Sequence, residues 1–170
     1  MTTSDPVMVE FVRYNNWANR QILDACQKLT GEQLELTAPG NFGTIRHTVE
    51  HIVRSEAGYL RMLAGDAPQP PFDWEDKPPV ADIAAYAARV GDALLDAVSH
   101  ISPTEPVRRQ WRGGRTLVFQ AQVLVIQIVD HGIEHRVNIT TILAAANLAH
   151  PDVDGWRYLV DHAERLAVAS

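Results

Sequence analysis

Two histidines, His131 and His135, stand four residues apart in the run Asp130-His131-Gly132-Ile133-Glu134-His135-Arg136, inside a long apolar segment. On a helix that spacing stacks both imidazoles on one face. Leu124, Ile128, His131, His135, Asn138, Ile142 and Ala145 extend the face in steps of four and three, which is the stripe a bundle helix turns toward its core. Two inward imidazoles make physical sense when something satisfies their ring nitrogens, and neutral imidazole is a common ligand of zinc and related divalent ions. Histidines hydrogen-bonded to core neighbours would satisfy the same pattern. A metal would need a third ligand from another segment.

A second pair, His47 and His51, lies in Thr44-Ile45-Arg46-His47-Thr48-Val49-Glu50-His51-Ile52. Thr44 after Gly43 reads as an N-cap, Ile45, Val49, Ile52, Tyr59 and Leu63 follow at helical steps, and Gly65 ends the pattern. Packed against the first helix, this one could supply a single histidine and leave a coordination position open for water or substrate. His47 falls in the first turn, which makes it the weaker candidate. His100, His150 and His162 sit near helix ends or in the tail, where a histidine needs no special explanation.

The elements that position these residues read as helices. The first starts at Asp5-Pro6, with Val7, Phe11, Tyr14, Ala18, Ile22, Ala25 and Leu29 at helical steps, and Gly31 closes it. A connection from Thr30 to Gly43 leads to the second helix, and the proline-rich stretch from Asp66 to Pro79 is a loop with Trp74 as its anchor. A third helix runs from Val80 to Ile101, with Ile83, Tyr86, Ala87, Val90, Leu94, Ala97 and Val98 on one side. Trp111-Arg112-Gly113-Gly114-Arg115 is either a hairpin turn between two short extended pieces or a plain loop. The β-branched run Val123 to Val129 could pass for a strand, but the helical stripe continues through it for more than twenty residues, and length decides for a fourth helix. The tail from Asp152 to Leu166 forms a short final helix capped by Asp152 or Asp154. The expected fold is all-α, a four-helix bundle with a short C-terminal helix, as a single domain over residues 1–170.

A chain of 170 residues, 46% apolar and 21% charged, has the balance of a soluble globular protein. Its net charge of −6 argues against a nucleic-acid partner. No apolar stretch reaches the length of a membrane span and no signal segment opens the chain, so the expected location is cytoplasmic. The one cysteine, Cys26, has no partner for a disulfide or a thiolate metal site and reads as core.

Tyr14-Asn15-Asn16-Trp17-Ala18-Asn19, Gly43-Thr44-Ile45 running to His51-Ile52, His131 to His135-Arg136, and Asp154-Gly155-Trp156-Arg157-Tyr158 occur in this order along the chain. In this the sequence resembles the DinB family, also described as DinB/YfiT-like. The resemblance implies a four-helix bundle, commonly a homodimer, with zinc or nickel held by three histidines, here His51, His131 and His135; His47 has no counterpart. It also implies a small-molecule substrate and, in some relatives, a low-molecular-weight thiol as cosubstrate of a transferase or isomerase. A metal-dependent thiol transferase or hydrolase is therefore expected, and a non-catalytic metal- or ligand-binding bundle is the alternative.

His131-x-x-Glu134-His135 also fits the inverted zinc-protease signature, with Glu134 as general base. That class needs an acidic third ligand well downstream, and only Glu164 follows His135 as a glutamate. Asp130 and Glu134 are read instead as acceptors for histidine N–H groups or as solvated charges. Trp17, Asn16 and Arg136 resemble residues that line the family's cavity; core packing for Trp17, and a carbonyl cap or an anion contact for Arg136, are the physical alternatives.

Overall fold

The computed structural model describes residues 5–110 and 112–168. Helices α1 (Pro6–Cys26), α3 (Ile45–Ala64), α4 (Val80–His100) and α5 (Ala121–Ala145) form the bundle. Each of α1 and α3 packs against both α4 and α5, so α1 and α3 occupy opposite corners. A short helix α2 (Gly31–Leu34) precedes α3, and α6 (Gly155–Asp161) and α7 (Ala163–Leu166) follow α5. Strands β1 (Pro106–Gln110) and β2 (Thr116–Gln120) pair antiparallel between α4 and α5, with Val107 opposite Phe119.

The local chemistry explains most boundaries. Asp5 caps α1 ahead of Pro6 by accepting the Val7 N–H, and Thr44 caps α3 by accepting the His47 N–H. Gly65 ends α3 at φ +88°, the left-handed conformation glycine adopts without penalty. No side chain caps α5. Its first amides are met by the chain before the hairpin instead, Ala121 N–H donating to the Glu105 carbonyl and Gln122 N–H to that of Pro103.

Several expectations are corrected. The first helix stops at Cys26, and Gly31 opens α2 rather than closing α1, because Thr30 and Gln33 form a capping box there. The glycine pair does turn a hairpin, with Gly113 and Gly114 both at positive φ; Trp111 lies outside the described residues. The tail forms two short helices, and Asp154, not Asp152, caps the first.

The face of α1 is corrected as well. Val7 and Phe11, expected in the core, are 59% and 49% exposed, while the buried stripe is Met8, Val12, Asn15, Asn19, Ile22 and Cys26. Two asparagines in that stripe disguise it as polar. They are buried because a network across the bundle satisfies them. Asn15 and Asn19 each donate from Nδ2 to Glu56 Oε1 on α3, both at 2.6 Å, and accept from Arg136 Nη1 on α5 at 2.8 and 2.6 Å. Arg136 is 1% exposed and Glu56 is fully buried; burial pushes the Glu56 carboxyl up and the Arg136 guanidinium down, each toward its neutral form. Gly132 makes room for this network: a Cβ there would stand 2.4 Å from Asn15 Oδ1 and 2.5 Å from Arg136 Nη1.

The proline-rich loop has no regular structure and is anchored by two rings rather than by Trp74 alone, Phe72 and Trp74 packing on each other and both on Tyr86. No described helix is long and apolar enough to cross a membrane.

Candidate metal centre

α3 and α5 bring together His51, His131 and His135. One ring nitrogen from each lies within 4.8 Å of the others. The Nε2 atoms of His51 and His131 are 2.9 Å apart. His135 follows on α5, with ring centroids 4.4 Å from His131 and 4.7 Å from His51. The helical spacing read from the sequence explains the α5 pair, and the packing of α3 against α5 supplies the third ring.

Burial lowers the proton affinity of all three rings, and their mutual repulsion when charged adds to this for His51 and His131. His131 is pushed down to about 4. At neutral pH the rings are therefore uncharged, and each offers a lone pair. His135 Nδ1 is buried without a hydrogen-bond partner, an orphaned atom of the kind that native structures rarely leave.

Zinc or nickel fits this donor set. Neutral imidazoles suit both ions. Two nitrogens on one tetrahedral zinc, each about 2.05 Å from it, would be about 3.3 Å apart. The observed pair is a few tenths of an ångström tighter than that.

Two aromatic rings flank the cluster. Phe42, from the loop ahead of α3, lies 4.4 Å from the His51 ring and 4.6 Å from that of His135, centroid to centroid. Tyr59 meets His131 edge-on at 5.7 Å, its hydroxyl accepting from Gln127 Nε2 at 3.3 Å. Neither ring was identified from the sequence as part of the site. Phe42 stands outside any periodic stripe, and Tyr59 registers only as a core position.

His47 is exposed and stays outside the cluster, stacked on the Phe42 ring with centroids 5.1 Å apart. Asp130 and Glu134 are exposed as well, and among the described residues neither carboxylate hydrogen-bonds to an imidazole. Glu134 acts through space instead, favouring protonation of His135 and His51. The acidic third ligand of an inverted zinc-protease site is missing: the third residue is His51, and Glu164 sits on α7. Trp17 packs in a small cluster with Ala18 and Tyr158 and meets His162 edge-on, with no ring contact to His51, His131 or His135 among those described. Arg136 faces the asparagine network rather than a carbonyl, and Asn16 donates to the Gly91 carbonyl at 2.8 Å. His100 and His162 bond to carbonyls one turn back on their own helices.

Comparison with known proteins agrees with this architecture. A family model described as the DinB family matches residues 1–165. Protein DinB of Bacillus subtilis (strain 168) is 25% identical over 155 residues, spanning 86% of this chain and 90% of that protein. A crystal structure of a DinB-like protein from Bacillus cereus matches with a TM-score of 0.67 at 21% identity, over 91% of this chain and 100% of that one, a likeness of fold. With the match to the family model running over nearly its whole length, the chain belongs to the DinB family.

Proposed function

We propose that this protein is a metal-dependent enzyme acting on a small molecule, a thiol-dependent transferase or a hydrolase, with zinc or nickel held by His51, His131 and His135. The observation that carries the reading is the convergence of three neutral imidazoles, one nitrogen from each within 4.8 Å of the others. A divalent ion bound there supplies Lewis acidity, which lowers the proton affinity of a thiol or water at an open position. The protein's own part is positioning. α3 and α5 fix the three rings, Phe42 and Tyr59 shield them from bulk water, and the Glu134 carboxylate tempers the local positive potential at His51 and His135.

One observation favours a second reading, a bundle that holds a metal or small ligand without turnover. Among the described residues no carboxylate hydrogen-bonds to His51, His131 or His135, so the site lacks the acid partner that raises ligand basicity in many catalytic centres.

The chain is further proposed to pair as a homodimer in the cytoplasm. Val7 and Phe11 on α1, with Ile126, Ile133 and Val137 on α5, leave an exposed apolar face beside an open groove of about 690 Å³, more than scattered surface residues explain. The lone, buried thiol of Cys26 suits a reducing compartment.

Elemental analysis of untagged protein tests the metal reading. About one zinc or nickel per chain is expected in the wild type, with loss in His51→Ala, His131→Ala and His135→Ala. Protein that takes up neither ion on incubation with both would refute it. Turnover of thiol or ester substrates by loaded protein then separates enzyme from holder.

A further inference from the structure

Arg136 is 1% exposed, and only part of its guanidinium is used by the bundle. Nη1 donates to Asn15 Oδ1 and Asn19 Oδ1, at 2.8 and 2.6 Å. Nε and Nη2 are buried and have no hydrogen-bond partner. These two belong together, because Nε–H and Nη2–H lie along one edge of the planar group, spaced to meet both oxygens of a carboxylate. Glu56 does not serve that edge: it reaches Arg136 through the amides of Asn15 and Asn19, which sit on Nη1. Tyr14, whose hydroxyl donates to the Val153 carbonyl at 2.9 Å, favours the charged form of Arg136 without giving Nε or Nη2 a bond of ordinary geometry. Among the described residues no carboxylate pairs with Arg136 directly. A guanidinium keeps its proton even when buried, so this is a buried charge whose bidentate edge is unpaired.

Arg136 also lines a cavity of about 430 Å³ between α1, α5 and the segment leading into α6. Tyr14, Thr140, Pro151 and Val153 wall it, and the exposed Asp152 and Asp154 stand at its rim. Both aspartates are engaged on their own segment. Asp154 Oδ1 accepts the Arg157 N–H at 2.7 Å as the cap of α6, and Asp152 Oδ1 accepts the Asp154 N–H at 3.2 Å. None of the three clustered histidines lines this cavity.

We infer that the cavity is a binding site for a small monocarboxylate, whose two oxygens take the Nε–H and Nη2–H of Arg136 while its apolar body packs against Pro151 and Val153. The ligand parts the Tyr14 hydroxyl from the Val153 carbonyl as it enters, since the tyrosine ring stands over the guanidinium with its centroid 5.7 Å from Cζ. The rim aspartates set the charge of the ligand, because a second negative group would lie beside them. The site stands apart from the metal reading and holds whether or not the histidines bind an ion.

Calorimetric titration of the whole protein with isobutyrate and with succinate provides the test. Isobutyrate binds the wild type saturably, and succinate binds roughly two- to fivefold more weakly, a gap that Asp152→Asn narrows. Arg136→Lys, which keeps the charge and lacks the edge, weakens isobutyrate at least about tenfold. Thr140→Phe reads the same cavity with the guanidinium left intact, so the test survives if the lysine variant fails to fold. Its half-buried position lies off the apolar face proposed for pairing, and its larger ring takes the ligand's place and abolishes binding. His131→Ala, which breaks the histidine cluster, binds isobutyrate as the wild type does. No saturable binding to the wild type, or wild-type affinity in a folded Thr140→Phe protein, overturns the inference. Binding lost in His131→Ala with its helical spectrum kept overturns it as well, by placing the carboxylate at the histidines.

Discussion

Gly132→Ala separates two opposed effects. Gly132 lies within α5, where helix propensity alone says alanine should stabilise by about 1 kcal/mol. The surroundings say otherwise. The new Cβ would stand 2.4 Å from Asn15 Oδ1 and 2.5 Å from Arg136 Nη1, inside contact distance of two buried groups that bond each other at 2.8 Å. Neither is the free end of a mobile side chain, since Asn15 also holds Glu56 and Arg136 also holds Asn19. Displacing either one leaves a buried charged group short of partners, at a cost of about 3–5 kcal/mol. Subtracting the propensity gain gives a net loss of about 2–4 kcal/mol. Gly58, within α3, is the control, because its Cβ would meet nothing within 4 Å; Gly58→Ala should gain up to about 1 kcal/mol. Urea denaturation of the metal-free proteins, followed by circular dichroism, reads both. A Gly132→Ala protein as stable as the wild type, or more stable, would refute the reasoning, because it would mean that the network yields at little cost.

The same network predicts that Glu56→Ala loses about 2–6 kcal/mol by leaving the buried Asn15 and Asn19 amides without their shared acceptor, whereas Glu56→Gln, which keeps an oxygen at that place, loses much less; equal losses in urea melts would contradict it. Metal-free protein should weaken as pH falls from about 7 toward 4. The folded state holds the His131 proton less tightly than the unfolded chain does, with a pKa near 4 against 6.5, so protons favour unfolding across that window and the effect levels off below it. Discounted for partial exposure, the loss from this ring is about 1–2 kcal/mol, and a His131→Asn protein with an unchanged pH profile would count against it. Sedimentation of the wild type at micromolar concentration should give two chains per particle, and Ile133→Glu with Val137→Glu should give one with the helical spectrum kept; a wild-type monomer would remove the proposed interface.

The helices of the bundle and the α5 histidine pair were legible because they rest on local periodicity. Thr44 and Gly65 bracket α3, and the step of four between His131 and His135 survives any packing of the bundle. The third imidazole was reached partly from position, since His47 falls in the first turn of α3, and partly through resemblance. Phe42 and Asn138 were not legible as a pair. Their contact joins residues 96 positions apart through a loop, and no local pattern marks a side chain that will accept a distant backbone N–H. α1 misled for a related reason: its buried stripe contains Asn15 and Asn19, whose burial makes sense only once Glu56 and Arg136 arrive from other helices. The apolar reading chose Val7 and Phe11 instead, on the face that the groove beside α6 leaves open.

A stretch of less than two turns of α5 holds two pairs of residues, each four apart: His131 with His135, and Gly132 with Arg136. The second pair is the first rotated by one residue, so the turn presents the imidazoles to α3 on one side and serves the core network with α1 on the other. A single inserted or deleted residue here would misdirect both pairs at once, whereas the same change in the loop from Asp66 to Pro79 would disturb neither. Drift in sequence and length over generations should therefore concentrate in that loop, while this turn admits almost none. Variants that break up the three-histidine cluster by disrupting the turn will tend to be lost as misfolded chains.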